Sequence, residues 1–418
     1  MKRFSLLAGA AVALATAAPA EEKTATAPVL TLHDALALAS DDQPIVAAFE
    51  KEAQASEQSA IAARSLPDPE LTAGIENFPV TGRNGLSPTD DEMTMYTIGI
   101  MREQVRRSKR EAEAARIQAD ALVSQRKASA EERHIRREIM IAWINAVEAR
   151  AKQRLLERLI SDLRAGRKVI EAGIPTGGST PALALQADAE IGLEESQLAD
   201  AKRAEARARA VLARWIGSAA AAKPLPDSIP NIDPPDIQSV HVVAVHPELL
   251  VAQAEEQAAL RQFDVARQAS KPDFTWSVSV GLRPNYGQMV SAGVSIPLQL
   301  NRRNRQDRLV NEAEARATAA TLRIEDKRRE LQGEYATALA DVEGADAELS
   351  HLNSGAIPQL EAAFKAAEAR YAGGGGTLDQ PFAIVRRYIE VNIQALDAKG
   401  RRARAIAELI HVAGEDAQ

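Results

Sequence analysis

Two stretches of the chain alternate apolar with small or polar residues. Phe274, Trp276, Val278, Val280 and Leu282 are separated by Thr275, Ser277, Ser279 and Gly281, and Val290, Ala292, Val294, Ile296 and Leu298 alternate with Ser291, Gly293 and Ser295. A period of two puts the apolar set on one face of a β-strand. The pattern predicts strands over about 273–282 and 289–300, joined by a turn at Pro284–Gln288. A weaker pair sets Leu71, Ala73 and Ile75 against Thr72, Gly74 and Glu76, then Tyr96, Ile98 and Ile100 against Thr97 and Gly99. It predicts strands over about 69–78 and 93–101 around a Gly-, Pro- and Asn-rich loop, Pro79–Glu92.

Elsewhere the period is helical. Ile135, Ile139, Ala142, Ala146, Ala149, Gln153, Leu156, Ile160 and Leu163 recur in steps of four and three, a coiled-coil seam. From Val105 to Ala172 there is no proline and no glycine except Gly166, which predicts one helix of roughly 65 residues, about 100 Å long. Gly173–Ser179 reverses the chain, and Pro181 opens a returning helix to Trp215, closed by Gly217. Upstream, Thr31 caps a helix with Asp34 in the capping-box position; Asp41, Asp42 and Pro44 interrupt it, and Pro67-Asp68-Pro69 ends it.

This order occurs twice. At an offset of 203, Pro44, Glu52, Gln54, Ala55, Ala63, Arg64, Pro69 and Thr72 fall on Pro247, Glu255, Gln257, Ala258, Ala266, Arg267, Pro272 and Thr275 without a gap. The second copy predicts a helix over 246–270, a long helix from about Arg305 to Tyr371 kinked at Pro358, a reversal at Gly373–Gly376 and a return from Pro381 to Val412. The expected organisation is a signal peptide at 1–20, a first repeat at 21–217 with its helical hairpin at about 105–216, a Pro-rich linker at 218–245, and a second repeat at 246–418 with its hairpin at about 305–413.

The signal peptide is read from Lys2 and Arg3, the apolar stretch from Phe4 and the small residues Ala18-Pro19-Ala20. Cysteine is absent, which excludes disulfides, thiolate metal sites and a lipidated N-terminal Cys. Without Lys2 and Arg3, 49 basic residues stand against 58 acidic ones, a net charge of −9 with both signs interleaved, which argues against a nucleic-acid partner. An aromatic content of 4% with abundant Ala favours long helices packed at thin seams over a thick globular core.

Each strand of the stronger pair is long enough to cross a bilayer when tilted. Packing of the strands on a soluble core is the alternative, but the helices have seams of their own and no segment remains to cover the apolar face. Four strands cannot close a barrel, and open edges are not tolerated in lipid. Cyclic association of three copies supplies twelve strands, an even number in the known range. The predicted fold class is mainly α with a small membrane β-barrel portion: a duplicated helix/β-hairpin/helix unit forming a trimeric 12-stranded β-barrel and a long α-helical barrel reaching into the compartment beneath the membrane. Phe274, Trp276, Val278, Val280, Leu282, Val290, Val294 and Ile296 are the expected lipid-facing residues.

The repeat, Leu32-x-x-Ala35-Leu36-x-x-Ala39, His246-Pro247-Glu248-Leu249, Ile357-Pro358 followed by Tyr371-x-Gly373, and the matched spacings Leu212–Gly217 and Leu409–Gly414 together resemble the TolC family of outer-membrane efflux proteins. The resemblance covers the whole mature chain, and its spacing is slightly closer to the heavy-metal/cation branch than to the drug branch. It implies a homotrimeric channel-tunnel in the bacterial outer membrane, in contact with outer-membrane lipid, fed by an inner-membrane pump of the RND type through a periplasmic adaptor. It assigns adaptor contact to the helix tips, here Ala172, Gly173, Ile174, Pro175 and Thr176, and Gly373, Gly374, Gly375, Gly376, Thr377 and Leu378. It also makes Asp379 a candidate pore constriction, although Gln380–Ile384 lacks the second acid the family often has.

The remaining motifs favour neither an enzyme nor a cofactor. No strand precedes Gly373–Gly376 and no Lys-Ser or Lys-Thr follows it, so it reads as a hairpin tip and not a phosphate cradle. His33, His134, His241, His246, His351 and His411 lack the helical spacing of a metal site and read as surface or capping residues. Met93 and Met95 are expected on one strand face, where soft-metal contact is possible but apolar filling is the better reading. Arg106, Arg107, Lys109 and Arg110, echoed by Arg302, Arg303 and Arg305, read equally as headgroup ligands, pore lining or solvated helix starts. No nucleophile elbow, catalytic carboxylate pair or cofactor fingerprint is present. The rival class is a periplasmic coiled-coil structural or adaptor protein, which would need one hairpin flanked by soluble β domains.

Overall fold

The computed structural model describes residues 29–39, 43–83, 85–175, 178–235, 245–373 and 379–413; the expected signal peptide lies outside them. Helix α1 (Leu32–Ala39) starts at the anticipated capping box: Asp34 N donates to Thr31 Oγ1 at 3.1 Å and Thr31 N to Asp34 Oδ2 at 3.3 Å. Helix α2 (Pro44–Arg64) begins on its proline, which gives up only an N–H that the first turn leaves unpaired. Strands β1 (Glu70–Glu76) and β2 (Met95–Gln104) follow, then α3 (Arg107–Gly173), α4 (Pro181–Ile216) and the single turn α5 (Ser218–Ala221).

The order then recurs as α6 (Pro247–Ala269), β3 (Phe274–Leu282), β4 (Met289–Ser295), α7 (Gln306–His351), α8 (Ile357–Ala372) and α9 (Asp379–Ala413). The expected kink at Pro358 takes the form of a π-helical turn, Leu352–Ala356, between α7 and α8. Proline lacks the N–H of the helical ladder and its ring crowds the carbonyl four residues earlier, here that of Ser354; widening the preceding turn relieves both problems.

Strand ends differ from the alternation-based reading for local reasons. β1 stops at Glu76 because Asn77 takes φ +55°. β2 starts two residues late because Asp91 Oδ1 accepts from Met93 N at 2.8 Å and folds Met93 into a turn, so Met93 and Met95 do not share a strand. β2 also runs on through Arg102, Glu103 and Gln104, whose ladder partners are Trp276, Thr275 and Phe274. β4 ends at Ser295, five residues before the expected limit, because Pro297 has no N–H to offer and Asp273, the next position opposite it, is bound elsewhere. Ile296 is therefore just beyond the strand.

All the seam positions from Ile135 to Leu163 are buried. Along the hairpins the packing is thin and Ala-rich, as composition suggests. At mid-height, however, a bulky cluster gathers Trp143, Leu212, Trp215, Leu225 and Ile406 with Leu30. Trp143 Nε1 donates to Leu30 O at 3.0 Å, and Leu30 N donates to Pro224 O at 2.8 Å, so the N-terminal segment and the linker are strapped across the ends of α4 and α9. Truncating such a core residue costs about 2–5 kcal/mol.

Candidate channel wall and helix tips

The strands form one antiparallel sheet in the order β1-β2-β3-β4. Register places Leu71 beside Ile100 and Val278, and Ala73 beside Ile98, Val280 and Val290. One face is thus apolar across both repeats except at its helix end, where Arg102 and Gln104 lie beside Trp276 and Phe274. Phe274, Trp276, Val278, Val280, Leu282, Val290 and Val294 all belong to it, whereas Ile296 follows the last ladder position.

The opposite face carries Thr72, Gly74, Thr97, Gly99, Ser277, Ser279, Gly281, Ser291 and Gly293. Its charges are Glu70, Glu76 and Glu103. Gly99 is demanded by close approach: a Cβ there would lie 2.6 Å from the Ser279 Cβ and 2.9 Å from the Val278 carbonyl oxygen. β1 and β4 each pair on one side only, leaving two open edges.

Sequence reasoning missed what fastens this sheet to the helices. Asp273, at the entrance to β3, accepts from Arg106 N and Nε, both at 3.0 Å, and from Lys109 Nζ at 2.8 Å. Burial alone would raise its carboxyl; hydrogen bonds from Lys109 and the Arg106 backbone, with both cationic charges, hold it below the usual carboxylate range. Arg106 also donates to Lys271 O at 2.9 Å, and Arg110 to Val105 O at 3.3 Å. Arg106, Lys109 and Arg110 thus help to form this joint. Arg107 and Arg302 make exposed pairs with Glu111 and Asp307. A Pro-Asp pair ahead of a strand, followed by basic residues where the preceding strand leaves the sheet, is the only sequence hint of this joint.

At the far end of the long helices, Ala172 and Gly173 finish α3, and Ile174 and Pro175 turn away from it. Gly178 N donates to Gly173 O at 2.9 Å and Thr180 caps α4, its Oγ1 accepting from Leu183 N at 3.3 Å. Gly373 closes α8, its N–H donating to Ala369 O at 3.0 Å. Thr176 and Gly374, Gly375, Gly376, Thr377 and Leu378 lie outside the described residues. Asp379 is the first residue of α9; its side chain is outside the described positions.

The histidines divide. His246 does cap a helix, Nδ1 accepting from Glu248 N at 3.3 Å. His411, expected at the surface or as a cap, is instead buried against it, ring centroids 5.5 Å apart and edge to face. Their distance along the chain hides that contact from any spacing argument. Among the described residues, no group of three or more His, Cys, Asp or Glu is arranged to hold a metal ion, and no helix is long and apolar enough to cross a membrane.

Residues 241–415 match the family described as outer membrane efflux protein. Among solved structures, the outer membrane protein VceC of Vibrio cholerae superposes with a TM-score of 0.75 at 20% identity, covering 93% of this chain and 97% of VceC. The CmeC outer membrane channel of Campylobacter jejuni gives 0.77 at 13% identity, covering 99% and 96%. The open state of the Neisseria gonorrhoeae MtrE outer membrane channel gives 0.73 at 17%, covering 92% and 89%. No curated protein sequence matches the chain.

Proposed function

From a chain that carries an outer membrane efflux protein domain over residues 241–415 and has the fold of the TolC-like outer-membrane channels, we propose a passive exit duct made of three copies. Each copy contributes its four strands to a closed barrel in the outer membrane and its two long hairpins to a helical tube in the periplasm. The outer-membrane efflux channel is not an enzyme; it moves substrate without covalent chemistry.

The observation that carries the trimer is the sheet itself. Apart from Arg102 and Gln104 at its helix end, one face is apolar from β1 to β4 while both edges are open, and in lipid every unpaired backbone group costs several kcal/mol. Pairing β4 of one copy with β1 of the next satisfies both edges and turns Val278, Val280, Val290 and Val294 toward lipid, with the Ser-, Thr- and Gly-rich face toward the lumen. The two repeats, 21–217 and 246–418, each provide one β-hairpin and one helical hairpin.

In this reading an inner-membrane pump of the RND type delivers substrate through a periplasmic adaptor that grips the tips around Ala172–Thr176 and Gly373–Leu378. Asp379 from each copy narrows the closed entrance. Purified protein in detergent should elute as a trimer and conduct in planar bilayers; a monomer without conductance overturns the proposal. Fractionation with soluble or inner-membrane material would favour an adaptor-like protein instead.

A further inference from the structure

The seam of α4 repeats at seven-residue intervals: Ala187, Glu194, Ala201 and Ala208 are all buried. Three of these are the small residue that close helix packing wants. The fourth is a carboxylate. Glu194 is 6% exposed, and its Oε2 has no hydrogen-bond partner. Buried carboxylates are nearly always paired or hydrogen-bonded, so an orphaned oxygen calls for a partner.

Glu194 lines a cavity of about 110 Å³ between α3, α4 and α9. Its apolar wall is Leu163 and Ile170 from α3, Leu183 and Ala187 from α4, and Ala383 from α9; Gln186, Glu190 and Arg386 complete the lining beside Glu194. The cation at its rim is already committed. Arg386 Nη1 donates to Glu190 Oε1 at 2.8 Å, and its Nε is 3.5 Å from Glu390 Oε1. Arg387 also pairs with Glu390, at 3.0 Å. Glu194 is left as the surplus negative group of the cluster. Burial, with Glu190 and Glu390, pushes its carboxyl above the usual range, against the pull of Arg386.

We propose that this cavity binds a small organic ammonium ion, its N–H donating to Glu194 Oε2 and its alkyl body filling the apolar end. An apolar cavity of about 150 Å³ holds benzene, so the present one suits a body of about four carbons. Because α9 belongs to the second repeat and α3 and α4 to the first, an occupant would bridge the two hairpins a few turns above the tips. The proposal goes beyond the channel reading and does not depend on it.

The test is calorimetric titration of the full chain in detergent with n-butylammonium chloride, beside neutral n-butanol and ammonium chloride. Saturable butylammonium binding is expected, with n-butanol and ammonium each much weaker. Glu194→Gln should weaken it by about tenfold or more, the scale of a charge-assisted hydrogen bond. Should that variant change the fold, judged by circular dichroism and elution volume, Ala383→Leu serves instead: it plugs the exposed rim, leaves Glu194 untouched and should also abolish binding. Absence of saturable binding overturns the site, as does equal binding by wild type and either folded variant. Conductance measured on the same preparation reports separately on the channel reading.

Discussion

The two helical hairpins share a plan and differ in how deeply it is packed. α3 is unbroken for 67 residues and buries side chains from Ala114 to Ile170, almost to its tip. In the second hairpin, the buried residues of α7 end at Ala345. Beyond the π turn, α8 shows only a half-buried row, Ile357, Leu360, Phe364 and Ala367. Ion pairs follow the same gradient. Arg401–Glu348 and Arg402–Asp346 tie α9 to α7 above the π turn, and Arg404–Glu148 and Lys152–Asp397 tie α9 to α3, whereas Arg386–Glu190 is the α9–α4 pair nearer the tips. The first hairpin is the more deeply packed and the lower part of the second is weakly held, so in the proposed channel the second is the natural moving part.

The widest separation should come from paired truncations. Leu156→Ala, at a fully buried seam position of α3, should cost about 2–5 kcal/mol, and Leu360→Ala in α8 under about 1 kcal/mol. Thermal melting by circular dichroism reads both, and equal losses would remove the contrast.

Acid should loosen the upper anchor of the second hairpin. Burial pushes His411 down to about 4 from 6.5, aided by His246, Arg137 and Arg133 and opposed by Glu248. Around the pair stand Arg133 and Arg137 on α3, Glu248 on α6, Lys327 on α7 and Glu408 on α9. The unfolded chain binds this proton more readily, so the stability contribution is complete above pH 6.5 and is lost as pH falls through 4. The expected loss is about 3 kcal/mol. His411→Leu should flatten that part of the stability–pH curve; an unchanged slope would show that the buried pair does not set it.

The smallest effect should come from Pro358→Ala. Restoring a backbone donor next to the π turn should stiffen α8 by about 1 kcal/mol and slow limited proteolysis between Leu352 and Ala372. Unchanged cleavage would mean that the looseness lies in the shallow seam and not in the turn.

What was legible in the sequence was whatever repeats locally. The four-three seam from Ile135 to Leu163, the capping box at Thr31 and Asp34, and the apolar face of β3 each follow from residues within a turn or two of one another. What was illegible depends on partners far along the chain. Asp273 meets Arg106 and Lys109, and His246 meets His411, only after the fold has formed, and neither pair leaves a periodic trace. Strand ends fell between these cases: Asp91 capturing the Met93 N–H, and Pro297 withholding its own, are local devices that alternation alone does not register. At the first tip, α3 ends at Gly173 and the chain turns at Ile174 and Pro175 near the expected place, because glycine and proline mark reversals by their own conformational limits.

The two open edges of the sheet have a consequence for biogenesis. If three copies close the barrel as proposed, a solitary chain leaves backbone donors and acceptors exposed along β1 and β4 beside an apolar face, so insertion into lipid and recruitment of neighbours become a single event. Channel yield then depends on how often newly exported chains meet, more steeply than in proportion to their number. Halving the rate of synthesis should cut the count of finished channels by more than half, and the shortfall would remain as chains waiting in the periplasm.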